Sequence, residues 1–253
     1  MVLGITLINP KGGAGKSTVA QLLADVFAEC GERVLLVDTD PRQNVKVWWD
    51  DCGNSNNQRD NLTVATATRE TAMKAAIEAA EKNFDVVIFD TAGQDTALPG
   101  LCICKSQIII TPVQMSKPEI RGAMEVNSLM RQLVTGGAMR KLIPHLLVPT
   151  RMSMTVRHTD IYKTLQVVVD KIGSHLSRTE LYERNHYKEM QNGYSSLLLL
   201  EGATKKQQES IDKAIAELCY FAAQVMDLVG YQPKTPTAKI GPLIEAMVMA
   251  KAA

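Results

Sequence analysis

The chain reads as an α/β protein with a doubly wound, mostly parallel sheet flanked by helices, and three observations lead there. Apolar strand-like runs alternate with helical stretches along most of its length. Aromatic residues make up only 5%, so the core has to be aliphatic. The first strand-like run feeds directly into a loop rich in glycine and lysine. A parallel sheet covered by helices on both faces needs near-continuous Val, Ile and Leu strands, and the βα rhythm supplies its crossovers.

Residues 3–8 (LGITLI) predict the first buried strand. The loop Lys11-Gly12-Gly13-Ala14-Gly15-Lys16-Ser17-Thr18 follows, then a helical pattern with Val19, Leu22, Leu23, Val26 and Phe27 on one face. Strand, glycine-rich loop and helix in that order form a phosphate cradle. The glycines let successive backbone N–H groups converge on phosphate oxygens, and the helix N-terminus adds partial positive charge. Lys16 is expected to reach the β- and γ-phosphates of a nucleotide, and the Ser17 hydroxyl to ligate Mg²⁺. The usual pattern has glycine five residues before Gly15; this chain has Pro10 there and a second cation, Lys11, at the mouth of the loop.

Residues 33–38 (RVLLVD) predict a second buried strand, ending in Asp38-Thr39-Asp40-Pro41-Arg42. Carboxylates at the C-terminal end of a strand lie where ligands bind in open parallel sheets, although Asp and Pro also favour plain turns. Residues 50–62 are polar and Asn-rich, and predict a surface loop with no chemistry of its own. Residues 85–90 (DVVIFD) predict a strand that delivers Asp90 as a Mg²⁺ carboxylate of the Walker B kind. Thr91-Ala92-Gly93 comes next, then a helix to about residue 105, a strand at 107–111, a helix to about 134 ended by Gly136-Gly137, a strand at 142–148 and a helix from about 156 to 172. Residues 204–229 form an amphipathic helix with Ile211, Ile215, Leu218, Ala222 and Val225 at helical spacing. The expected organisation is one nucleotide-binding domain over residues 1–231 and a linker with a short apolar helix over 232–253.

The loop sequence KGGxGK[ST] is similar to the deviant Walker A signature of the ParA/MinD family of ATPases, above all the small plasmid-partition ParA proteins. The resemblance covers roughly residues 2–230, strongly over the first 115. It implies ATP and Mg²⁺ as ligands, and an ATP-bound homodimer in which Lys11 reaches the phosphates held by the partner subunit. A cation delivered in that way makes hydrolysis conditional on assembly. By the family's DxDPQ segment, Asp40 orients the attacking water and Asp38 supports the Mg²⁺ shell; Arg42 departs from the usual Gln. Thr91 to Gly93 resembles the segment that senses the γ-phosphate. Residues 112–118 are similar to a proline-containing stretch at the dimer and assembly interface. Thr150 and Arg151 fall where the family places residues beside the adenine. Glu183-Arg184-Asn185 matches a segment close to a DNA-contacting surface. Lys11, Lys16 and Asp40 are thus the candidate catalytic residues, and Ser17, Asp38 and Asp90 the candidate metal ligands.

Charge bears on the partners. Formal net charge is +1, which gives no general attraction to nucleic acid, but residues 121–163 hold seven cations against two acids. Arg157, Arg184 and Lys188 are the candidate contacts for non-specific DNA. Ten residues precede the phosphate loop, so no N-terminal operator-reading module is expected. The implied cycle adds a cargo- or centromere-binding protein that stimulates hydrolysis. A MinD-like membrane regulator, a VirC-type conjugation ATPase and a metabolic P-loop enzyme are the alternatives. The apolar tail carries only Lys239 and Lys251, below a polybasic lipid signal, so docking on its own or a partner's surface is expected rather than a membrane. No secretory signal or membrane-length run is visible, and the expected location is cytoplasmic, on the nucleoid when ATP is bound. Cys102 and Cys104 lack a second pair to make a cluster site and read as helix residues; four scattered histidines show no metal spacing.

Overall fold

The computed structural model describes residues 2–93, 98–153, 155–197, 200–238 and 240–252. In chain order the elements are β1 (Leu3–Leu7), α1 (Lys16–Glu29), β2 (Val34–Asp38), α2 (Asn44–Asn54), β3 (Leu62–Thr66), α3 (Glu70–Asn83), β4 (Val86–Asp90) and α4 (Leu98–Cys104). The second half gives β5 (Ile108–Val113), α5 (Lys117–Thr135), β6 (His145–Met152), α6 (Asp160–Ile172), β7 (His175–Leu176), β8 (Leu181–Tyr182), α7 (Asn185–Met190), α8 (Lys205–Val229) and α9 (Gly241–Ala252). The strands lie in the order β3-β2-β4-β1-β5-β6-β7, with β8 also paired to β6, and every pairing is parallel. The expected doubly wound sheet is what these residues form.

Period-two alternation decides which side chain serves which layer. Ile5, Leu36 and Ile88 join α1, α2 and α8 in one core, while Leu35, Val37, Val87 and Phe89 meet α3 and α4 on the opposite face. Helices α5 and α6 extend that second layer over Val113 and Leu147. Register then sets the functional edge: Leu7 pairs with Asp90, and Asp90 with Asp38. The phosphate loop and both aspartates therefore leave the sheet at one level.

Three expectations change. Residues 50–54 close α2 instead of opening a loop, because Trp48, Trp49 and Cys52 are buried on its inner face. The polar residues after it weld the structure together. Arg59 donates to the buried Asp25 of α1 at 3.0 Å, and Asn61 donates to the carbonyls of Ala28 and Glu32. Strand β6 runs on through Thr150 and Arg151, which were expected in a loop, because β8 pairs with it across a bulge. Residues 232–237 are held to the body: the Lys234 backbone donates to Glu32, its ammonium pairs with Asp85, and the Thr235 N–H reaches the Cys30 carbonyl at 3.0 Å. Beyond them Ile240 and Ile244 are buried in the α1/α8 layer, so the tail docks on its own chain. A capping box, Thr204 with Gln207, starts α8.

Cys102 and Cys104 lie in α4, and all five cysteines are free thiols. Buried His145 sits between the hydroxyls of Thr111 (2.8 Å) and Ser174 (2.9 Å); burial, with His175 nearby, lowers its pKa to about 3. The folded state therefore excludes a proton that the unfolded chain takes up below about pH 6.5, so stability is lost as pH falls from there towards 3. Asp25, raised to about 6 by burial, acts in the opposite sense, so the clean measurement is a difference. Compared with His145→Gln, the wild type should lose about 2 kcal/mol more between pH 7 and pH 5 in urea melts. Equal losses in the two proteins would show that His145 does not set this dependence.

Candidate active site

The phosphate loop joins β1 to α1 at the centre of the sheet. Gly13 (φ 85°) and Gly15 (φ 93°) take the left-handed conformation that turns the chain into the helix. Lys16 begins α1 and is buried, its ammonium donating to the carbonyls of Asn9 (2.9 Å) and Lys11 (3.1 Å). Burial lowers its pKa, and Asp90, Glu119 and Asp40 pull the other way. Lys11 behaves differently. It is exposed, and no ion pair joins it to any described residue. Its backbone N–H is fixed at 3.0 Å on the Asn9 side chain.

Asp90 is fully buried, and burial pushes its pKa up to about 7. One oxygen accepts the Ser17 hydroxyl at 2.6 Å; the other, Oδ1, is buried without a hydrogen-bond partner among the described residues. A buried carboxylate oxygen left over beside a serine hydroxyl fits a hard cation, and Mg²⁺ is commonly held by one or two such groups plus phosphate oxygens. Asp38 is differently occupied. Its Oδ1 accepts the Asp40 N–H (2.9 Å), and its Oδ2 accepts those of Val45 (3.0 Å) and Lys46 (3.3 Å), so it anchors the start of α2. Asp40 is half-buried on the same edge and accepts the Arg42 N–H at 2.9 Å. Gly93 lies over the loop; a Cβ there would meet the Pro10 carbonyl at 3.2 Å and the Lys16 ammonium at 3.4 Å. Thr39 ties Asp40's turn to the end of β4, donating to the Asp90 carbonyl and accepting the Ala92 N–H, both at 3.1 Å.

Beside the loop opens a cleft of about 220 Å³, whose lining includes Gly15, Thr18, Thr150, Arg151, Tyr182 and Tyr187. Thr150 closes its floor by donating to the Ala14 carbonyl at 2.8 Å, and Arg151 takes a positive φ of 50° at the β6 bulge. Thr150 and Arg151 thus stand next to the cradle. Arg184 and Lys188, expected on a DNA surface, line the same cleft. Arg184 is 17% exposed and doubly bonded to Glu217. Lys188, 66% exposed, pairs with Glu183 at 3.2 Å. Arg157, 54% exposed, lies elsewhere, on the buried carboxylate of Glu180 at 2.6 Å.

A model of the VirC1 protein family matches residues 1–229. The chain belongs to the VirC1 family. Among curated proteins this VirC1-family chain is similar to a ParA protein of Rhizobium radiobacter, 24% identical over 224 residues, covering 87% of this chain and 95% of that one. A VirC1 protein of Rhizobium rhizogenes is 24% identical over 230 residues, with 89% and 96% covered. Among solved structures it superposes on Cyanothece McdA in an ATP complex, with TM-score 0.67, 15% identity and coverage of 91% and 97%. It also superposes on the MinD septum-site protein of Pyrococcus horikoshii complexed with Mg-ADP, with TM-score 0.61, 17% identity and coverage of 91% and 98%. The ParA/MinD resemblance read from the loop is borne out. The VirC type, weighed among the alternatives, supplies the family itself. Among the described residues no helix is long and apolar enough to cross a membrane.

Sequence reasoning missed Asn9 and Glu119. Buried Asn9 donates to the Pro112 carbonyl and to Glu119, both at 2.8 Å. The available signal misleads, since Ser116-Lys117-Pro118-Glu119 reads as a capping box. Ser116 does cap α5, but the Glu119 carboxylate points into the protein and meets Asn9.

Proposed function

We propose that this VirC1-family protein is an ATP- and Mg²⁺-dependent switch that positions DNA or a DNA-bound cargo. The observation that carries the reading is the different fate of the two loop lysines. Lys16 is buried among the backbone groups that would hold a phosphate, whereas Lys11 stands exposed on a braced backbone with no ion pair to any described residue. A cation so placed suits a second subunit meeting this one face to face. ATP would then bind with its phosphates in the cradle of residues 11–18 and its base in the cleft by Thr150 and Arg151. Mg²⁺ would be held by the Ser17 hydroxyl and Asp90, with Asp38 behind them, and supplies charge neutralisation at the phosphate oxygens. Asp40 orients the attacking water, and hydrolysis, stimulated by a partner protein on the cargo, returns the dimer to monomers. A lipid anchor has less support, because the tail buries Ile240 and Ile244 against its own chain.

DNA binding by the ATP-bound dimer is non-specific in this reading, carried by phosphate contacts from exposed cations. Lys188 is the clean probe. Its pair with Glu183 is exposed on both sides, which makes it worth little, so removing it strands no buried charge. Arg157→Ala would instead take the counter-charge from the buried carboxylate of Glu180, and Arg184→Ala would take it from the partly buried Glu217. At saturating ATP and Mg²⁺, Lys188→Ala should weaken binding to two unrelated duplexes alike and flatten the salt slope by about one per lost contact. Polarisation across a salt series measures this. Unchanged affinity would move the surface elsewhere, and no ATP-dependent DNA binding by the wild type would end the DNA reading.

A further inference from the structure

We propose that Asn9 and Glu119 are positioning residues of this site: together they hold the backbone from which Lys11 projects and tie it to the first turn of α5. The kinetic consequence rests on the ATPase reading above; the brace itself rests on geometry alone.

Asn9 is 0% exposed and touches both lysines. Its Oδ1 accepts the Lys11 N–H at 3.0 Å, and its main-chain carbonyl accepts the Lys16 ammonium at 2.9 Å. Its Nδ2 uses both hydrogens, one on the Pro112 carbonyl at the end of β5 and one on Glu119, each at 2.8 Å. A carboxylate only accepts, so Glu119 forces the amine end of the carboxamide towards itself. The oxygen is thereby left facing Lys11. Three residues on, Gly122 presents the same face of α5, and a Cβ there would meet Asn9 Oδ1 at 2.5 Å. Side chains three apart are neighbours on a helix, so Glu119 and Gly122 grip one carboxamide. Gln114, from the same β5–α5 turn, donates to the Gly13 carbonyl and ties down the other side of the loop. Burial raises the Glu119 pKa, while Lys16 foremost, then the Asn9 amide, Lys11 and Arg151, pull the other way. Any displacement of the start of α5 is therefore transmitted to Lys11 through one side chain.

Loss of the brace should affect turnover more than binding, because the loop N–H groups and Lys16 still hold the phosphates. A misplacement of about 1 Å can cost about 10²-fold, so Glu119→Ala should lower kcat by about 10- to 10²-fold. KM for ATP should stay within about threefold, since uniform binding is retained. Glu119→Gln, whose carbonyl can still accept from Asn9, should restore kcat to within about threefold of wild type. Amide hydrogen exchange over residues 9–15 gives a readout that needs no hydrolysis. It should quicken in Glu119→Ala, Asn9→Ala and Gly122→Ala, and stay at the wild-type rate in Glu119→Gln. Wild-type kcat in Glu119→Ala, parallel losses of kcat and ATP affinity, a Glu119→Gln variant as impaired as Glu119→Ala, or unchanged exchange would each overturn the proposal. If Glu119→Ala does not fold, Asn9→Ala and Gly122→Ala carry the same expectations. A wild type without ATPase activity would end the functional reading, while the exchange measurement would still decide the brace.

Discussion

Lys16→Ala is expected to lose ATP. The ammonium is the one buried cation of the loop and is held by two backbone carbonyls, with Asp90, Glu119 and Asp40 as the charges around it. Removing it takes a charge-assisted contact from the nucleotide phosphates and leaves those carboxylates facing the incoming anion. A hydrogen bond to a charged group contributes up to about 3 kcal/mol, so affinity should fall by about 10²-fold or more. Titration calorimetry with ATP and Mg²⁺ measures this, with thermal melting as the control for folding. Affinity within threefold of wild type would show that Lys16 does not hold the phosphates.

Lys11→Ala is expected to separate binding from hydrolysis. Its side chain makes no ion pair with a described residue, and its N–H and carbonyl contacts, being backbone groups, survive the substitution. ATP affinity should therefore change little. Turnover should fall by about 10³- to 10⁵-fold, the worth of a cation supplied to a transferring phosphoryl group. The wild type should show specific activity that rises with protein concentration through the dimer dissociation constant. Flat specific activity over that range, or normal turnover by Lys11→Ala, would remove the role assigned to Lys11.

The nucleotide edge was legible because its signals are local. Gly13, Gly15, Lys16 and Ser17 fall within one short loop, and the strands that deliver Asp38 and Asp90 announce themselves as buried runs ending in a carboxylate. What sequence could not show was the partner of each side chain. Asp38 looks like a free metal ligand until three backbone N–H groups are found on it. Asn9 and Glu119 are 110 residues apart, and nothing in either neighbourhood predicts their contact. That Arg184 and Lys188 also line the cleft beside the phosphate loop is hidden in the sequence, because β8, whose pairing draws them there, is a two-residue strand with no periodicity to detect. Polar loops are opaque for the same reason: composition marks residues 55–61 as exposed, yet Arg59 ends on a buried aspartate of α1.

The central claim is that Lys11 of one subunit serves the site of the other, and mixing two inactive variants tests it most directly. Lys11→Ala subunits keep their own Asp40 but donate no cation; Asp40→Ala subunits donate the cation but cannot orient water. Each should be inactive alone. In a one-to-one mixture with ATP and Mg²⁺, half the dimers are mixed and one of their two sites is complete, so activity should recover to about a quarter of the wild-type value. A mixture as inactive as its components, with mixed dimers confirmed by differential labelling, would place Lys11 in the service of its own subunit and contradict the account.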